Sequence, residues 1–85
     1  MSFVCRWSKD IDDYIEQSLP DEAKVAFVMR CELLEARPWG NGPPRWEVPT
    51  VTSFGEGMEG LLEYRVAEDG DGPGKHIIWI TRVHW

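Results

Sequence analysis

Arg45, Glu47, Glu63, Arg65, Arg82 and His84 are the residues of this chain whose types could do chemistry together. Arginines hold a phosphate and stabilise the charge that develops on it, while a carboxylate or imidazole moves the protons of a 2′-hydroxyl attack. These are the parts of a metal-independent endoribonuclease. Glu63, Arg65, Arg82 and His84 form the candidate catalytic set, and Arg45, Arg65 and Lys75 are the candidate nucleic-acid contacts. The same residues have a second reading, in which Glu63 and Arg65 pair across strands with Arg82 and Glu47 on a solvated sheet face. Charged outer faces are ordinary in antiparallel sheets, so both readings stay open.

Other chemistries find little support. His76 and His84 stand a strand's length apart without a Cys or carboxylate ladder, and Cys5 and Cys31 lack a partner at zinc spacing, so no metal is expected. Ser8, Ser18 and Ser53 have no nucleophile-elbow context. Gly70 to Gly74 carries Asp71 where a phosphate cradle needs open amides, so it reads as a hairpin loop and no cofactor is expected. Trp39, Trp46 and Trp85 are candidate partner-binding residues, because the chain has more indole than one face of a small core needs. Trp39 and Trp46 could equally cap the open end of the core.

The elements that must position these residues can be read from spacing. Phe3 to Trp7 is rich in β-formers, and Ser8 follows as an N-cap with Asp10, Asp12 and Asp13 behind it. Ile11, Tyr14, Ile15, Ser18 and Leu19 make one helical stripe, ending near Leu19. Pro20 suits the first turn of a second helix, which Pro38 stops so that Arg37 is its last residue. Val25, Phe27, Val28, Met29, Cys31, Leu33 and Leu34 make that helix apolar on several sides, which places it between the sheet and the first helix.

Residues 38–44 form a Pro/Gly-rich crossover into the sheet. A strand is expected over Arg45 to Phe54, with Trp46, Val48, Thr50, Thr52 and Phe54 on one parity and Pro49 marking an edge or bulge. Gly55 to Gly57 turns into a strand over Leu61 to Ala67, whose Leu62, Tyr64 and Val66 face the core. After the acidic loop Glu68 to Gly74, expected to be mobile, comes the final strand, His76 to Trp85. Strict alternation there puts Ile77, Trp79, Val83 and Trp85 in the core with Thr81, and Ile78, Ile80, Arg82 and His84 on the open face.

The expected fold class is therefore α+β, a short N-terminal strand and helical hairpin packed on a three- to four-stranded, mainly antiparallel sheet. Its 85 residues allow one core and one domain spanning 1–85. Two free buried thiols are expected rather than a disulfide. With neither a signal peptide nor a membrane-spanning stretch in view, a soluble cytoplasmic protein is expected, without membrane partners. A net charge of −6 repels a polyanion, and neither residues 1–44 (five basic, eight acidic) nor 45–85 (four basic, seven acidic) is basic. Any basic patch must be built by folding.

From about Leu19 to His84 the order of elements and several short motifs resemble the RelE/ParE superfamily of type II toxin–antitoxin toxins. The junction Leu33 to Pro43 is similar to an actinobacterial branch in which an apolar helix end runs into a Pro-Trp-Asn-Gly-type turn; Tyr64-Arg65-Val66 resembles the family's Tyr-Arg-Val strand, and Arg82-Val83-His84-Trp85 its closing Arg-Val-x-His with one residue missing. The resemblance implies a RelE/ParE-like fold and a protein that blocks growth when free, either as a ribosome-dependent mRNA endoribonuclease or as a poison of DNA gyrase. It also implies a cognate antitoxin as partner and Arg65 as a phosphate contact. The chain departs from the pattern at Glu56, Glu59 and Glu63, where active members carry Lys or Arg, and at Trp85, where a basic residue commonly follows the His.

Two rivals accompany the toxin reading: a non-catalytic protein-binding module on the same fold, and an acidic inhibitor that mimics nucleic acid. An arginine-bearing concave face favours the toxin, whereas an aromatic patch ringed by acids favours the module.

Overall fold

Residues 1–70 and 72–85 are described in the computed structural model; Asp71, in the expected acidic loop, lies outside the described residues. The first strand, β1 (Ser2–Trp7), alternates as its residues dictate: Phe3, Cys5 and Trp7 pack on the core, while Val4 and Arg6 are exposed. Ser8 breaks the strand and caps the next element, its Oγ accepting from the Ile11 amide at 3.3 Å, and α1 (Lys9–Ser18) follows with Asp10 and Asp12 in its first turn. Pro20 sits just outside α2 (Asp21–Ala36) rather than inside it, with its carbonyl accepting from Ala23 and Lys24. Arg37 is the cap residue, forced out of helical backbone by Pro38, and not the last helical residue.

Three more strands, β2 (Thr50–Phe54), β3 (Gly60–Val66) and β4 (Lys75–His84), complete a four-stranded mixed sheet in the order β1-β4-β3-β2. β1 runs parallel to β4, and the other two pairings are antiparallel. Both helices rest on one face. α2 contacts β1 and β2, and α1 contacts β4. The core joins Ile15 and Leu19 of the first helix and Phe27 and Leu34 of the second to Leu62, Tyr64, Val66, Ile78 and Ile80 of the sheet. The free edge of β1 is blunted by Glu35 of α2, whose carboxylate accepts from the Cys5 amide at 2.8 Å.

Three further expectations need correction. The second helix does not lie between the sheet and α1. It packs directly on the sheet through Ala23, Phe27, Cys31 and Leu34, and one layer of helices has nothing left to cover its remaining apolar residues. Val25, Val28, Met29 and Leu33 are consequently exposed.

The strand expected from Arg45 starts only at Thr50. Glu47 adopts left-handed backbone (φ 62°), Pro49 has no amide for a ladder, and the Thr50 hydroxyl donates to the Val48 carbonyl at 3.2 Å. Trp46 and Val48 therefore belong to a turn, which is tied to the end of β3 by the Glu47 amide donating to the Val66 carbonyl at 2.9 Å.

β4 does not alternate strictly. Glu63 pairs with Arg82 but Tyr64 pairs with Ile80, so Thr81 is an extra residue at a β-bulge. Ile78 and Ile80 therefore face the core, as their near-complete burial shows, and Trp79 turns to the open face. Past the bulge the parity shifts: Val83 and Trp85 pack on the core, while Arg82 and His84 are exposed.

Cys5 and Cys31 are free thiols, with the Cys5 Sγ 3.6 Å from the Cys31 carbonyl. Hydrogen bonding to Cys31 and burial push the Cys5 thiol far above its ordinary range, so it stays protonated and inert. The Tyr64 hydroxyl donates to the Pro38 carbonyl at 2.8 Å in the interior, pinning the crossover to β3. Tyr64→Phe leaves that carbonyl without its partner and is expected to cost about 1–3 kcal/mol in a denaturant melt. Burial raises the Tyr64 pKa above its ordinary value of 10.0. Its folded phenol holds a proton that the unfolded one releases, so this contribution is intact below pH 10 and is lost as pH rises through the raised value. Thermal melts above pH 10 are expected to fall less steeply for Tyr64→Phe than for the parent.

Candidate functional site

Two surfaces carry residues with something to do, one on each side of the sheet. On the uncovered side, Glu63 and Arg65 of β3 lie beside Arg82, Trp79 and His84 of β4, with the register Glu63 to Arg82, Arg65 to Trp79 and Leu61 to His84. The bulge at Thr81 keeps Arg82 on the same face as Arg65 although Ile80 turns inward. Diagonal neighbours of this kind sit about 7–8 Å apart, a separation that one phosphate or carboxylate can bridge.

The contacts within this face are those of a solvated sheet. Arg65 Nη1 meets Glu47 Oε1 at 2.6 Å, with the two side chains 39% and 50% exposed. An ion pair this open is worth on the order of 0–1 kcal/mol. The second oxygen of Glu47 accepts from the Glu68 amide at 3.1 Å, so this carboxylate staples the 45–49 turn to the end of β3. Glu63 does not reach Arg82; its carboxylate accepts instead from the Thr81 hydroxyl at 3.1 Å. Among the described residues the side chains of Arg82 and His84 have no hydrogen bond or ion pair. A shallow recess of about 290 Å³ opens beside the start of α1, lined by Ser8, Ile11, Arg65, Trp79, Ile80 and Thr81.

The other candidate cations lie elsewhere. Lys75 opens β4 opposite Ser2, seven positions from Arg82 and roughly 23 Å along the strand, so it does not join Arg65 and Arg82 in one patch. Arg45 is exposed on the turn, its carbonyl taking the Trp39 indole N–H at 3.2 Å. Among the described residues no group of three His, Cys, Asp or Glu is placed to hold a metal.

The three candidate partner-binding tryptophans separate into two groups. Trp39 and Trp46 are half-buried and close a ring circuit with Phe3 and His76: centroids are 5.6 Å from Phe3 to Trp39, 4.7 Å to Trp46, 4.6 Å on to His76 and 5.4 Å back to Phe3. His76 Nδ1 lies 2.9 Å from the Glu68 carbonyl and can only donate to it. This circuit packs against the end of the core and is mostly occupied with itself. Trp85 stands apart, its ring 5.6 Å from Phe54 and its amide donating to the Tyr14 hydroxyl at 3.1 Å.

Trp85 also lines the second surface, a groove of about 500 Å³ between α2 and the β2–β3 turn. Its α2 wall is Val25, Met29 and Leu33, which are 60%, 59% and 59% exposed. Its other wall is Phe54, Gly55 and Trp85, and Glu22, Arg30, Glu56 and Glu59 are its charged members. Gly55 (φ 98°) turns the chain tightly here, and a Cβ on it would meet Trp85 ring atoms at 3.1 Å. The groove was not singled out in the sequence, although the repeat Val25, Met29, Leu33 at i, i+4, i+8 was its visible signal: a second apolar stripe on a helix that already had one.

No helix among the described residues is long and apolar enough to cross a membrane. Comparison with protein-family models, with curated proteins and with solved structures finds nothing that matches this chain.

Proposed function

We propose that this chain is a protein-binding domain whose working surface is the groove between α2 and the β2–β3 turn. The observation that carries it is the row Val25, Met29 and Leu33, more than half exposed and facing Trp85 across a groove edged by three glutamates. Apolar side chains in water at helical spacing, grouped and rimmed by charge, mark surfaces that another protein covers. The arginine face, by contrast, holds Arg65 already paired with Glu47.

A second reading is favoured by one specific observation. Glu63, Arg65, Arg82 and His84 share an uncovered face of two adjacent strands, the arrangement that a type II toxin of the RelE/ParE kind would need to grip RNA on the ribosome or to act on gyrase. In that reading the groove belongs to the antitoxin. Two experiments separate the readings. Association with a purified partner is expected to fail in Met29→Asp/Leu33→Asp and to survive in Arg65→Ala. Growth arrest on induced expression of the wild type, lost in a folded Arg65→Ala variant, would instead support the toxin; undisturbed growth with soluble protein counts against it in that host.

A further inference from the structure

The groove's own charges narrow what can fill it. Three of its four charged members, Glu22, Glu56 and Glu59, are acidic, and the whole chain carries −6. Two copies meeting through this groove would bring six glutamates and only two arginines into one interface, because a two-fold contact uses the same patch from both sides. Like charges across an interface are a strong rejection signal, whereas a cationic partner is both steered in and held. Among occupants, a second copy is the wrong choice and a basic segment the right one.

The shape narrows it again. Val25, Met29 and Leu33 form a straight row, two turns long and about 12 Å from end to end. All backbone groups of that helix wall are engaged within α2, and the edge strand β2 reaches the groove only at its last residue, Phe54, so an extended peptide laid on the row would bury its own amides and carbonyls without partners. A helix brings its backbone hydrogen bonds with it and offers a ridge of apolar side chains to fill the trough.

We infer that the groove seats an amphipathic helix of another protein, with an apolar stripe against Val25, Met29, Leu33 and Trp85 and with Lys or Arg beside that stripe facing Glu22, Glu56 and Glu59. The inference rests on the protein-binding reading and adds the partner's chemistry to it. Arg30 lies on the same lining and calls for one acid among the partner's bases.

The test uses the full chain, ¹⁵N-labelled, and two synthetic helical peptides, each long enough to hold a helix, about 16 residues. They share one leucine stripe, flanked by Lys in one and by Glu in the other. The Lys peptide is expected to shift amides of residues 22–33 and 54–59 and to bind at least about tenfold more tightly than the Glu peptide. That preference is expected to shrink severalfold in about 0.5 M salt and to weaken in Glu22→Gln/Glu56→Gln. Equal affinity of the two peptides overturns the basic-partner inference while leaving a protein-binding groove. Tighter binding of the Glu peptide, or shifts confined to the arginine face, overturns it as well. So does a dimer of the wild type, seen by sedimentation, that is lost in Met29→Asp/Leu33→Asp. Binding of neither peptide overturns the inference, whereas binding of both peptides equally, lost in Met29→Asp/Leu33→Asp, overturns the basic-partner inference and leaves the groove as the protein-binding surface.

Discussion

Phe27→Ala is expected to lower the melting temperature by about 15–30 °C, the largest loss of any single truncation considered. Phe27 is 1% exposed and sits at the middle of a run of rings: Trp7 of β1 at 5.3 Å and Phe54 of β2 at 5.7 Å, both edge-on, with Trp85 next at 5.6 Å from Phe54. This run joins β1, α2 and β2 to Trp85, so it fastens segments far apart in sequence to one another. Removing a buried ring costs about 3–5 kcal/mol because the neighbours close only part of the cavity. A domain of this size holds roughly 4–13 kcal/mol in total, so the variant keeps little reserve. The site can barely collapse, because Phe54 is itself wedged against Gly60, where an added Cβ would lie 2.5 Å from the Phe54 ring. Circular-dichroism melts check this, and a drop below about 5 °C would show that α2 is not fastened through Phe27.

Met29→Asp/Leu33→Asp is expected to weaken binding of the Lys-flanked helical peptide by about 30-fold or more while costing the free chain only about 1–2 kcal/mol. The combination is diagnostic. Met29 and Leu33 are both 59% exposed, so replacing them removes little burial in the free chain, and the cost is mainly that of two aspartates in a helix, one of them in its last turn. In a complex these positions are two of the three residues of the apolar row, where truncating a desolvated anchor costs about 2 kcal/mol or more. A variant that binds as tightly as the wild type, by calorimetry, removes the groove from the working surface. One that loses binding only because it has unfolded is recognised by its melt.

Much of the fold is legible because short polar signals act locally. Ser8 caps α1 with its own hydroxyl, Pro20 separates the helices and Pro38 ends the second, each through a contact or constraint spanning a few residues. The β3 parity is equally readable, since Leu62, Tyr64 and Val66 are apolar or aromatic and their alternates are not wholly so. The failures are non-local. Ile77 to Ile80 is an unbroken apolar run with Trp79 inside it, so alternation cannot choose a face, and the bulge at Thr81 is specified by pairing with β3 rather than by any residue of β4 alone. Turn 45–49 looks extended by composition, yet Glu47 is held in left-handed backbone while its carboxylate bonds Arg65 and the Glu68 amide, contacts that arise only after β3 is in place.

The candidate site divides in the same way. Placing Glu63, Arg65, Arg82 and His84 on one face was legible from types and spacing, even though the strict alternation used for β4 was wrong in its first half. The partner of Arg65 is Glu47, as the cross-strand pairing reading allowed, while Glu63 turned to Thr81 instead of Arg82. The separation of Lys75 from Arg82 was already implied by the expected strand from His76 to Trp85, and β4 keeps them at opposite ends. The groove escaped because a helix apolar on several sides suggests burial on several sides, and only the one-layer arrangement of helices shows that one of them stays open.

Amide-shift mapping of the ¹⁵N-labelled chain with the Lys-flanked helical peptide tests the central claim most directly. The account expects the largest changes along Glu22 to Leu33, through Phe54 to Glu59 and at the Trp85 indole, with Arg65, Arg82 and His84 little affected. Changes centred on Glu63, Arg65, Arg82 and His84, with α2 silent, would contradict it and make the arginine face the working surface.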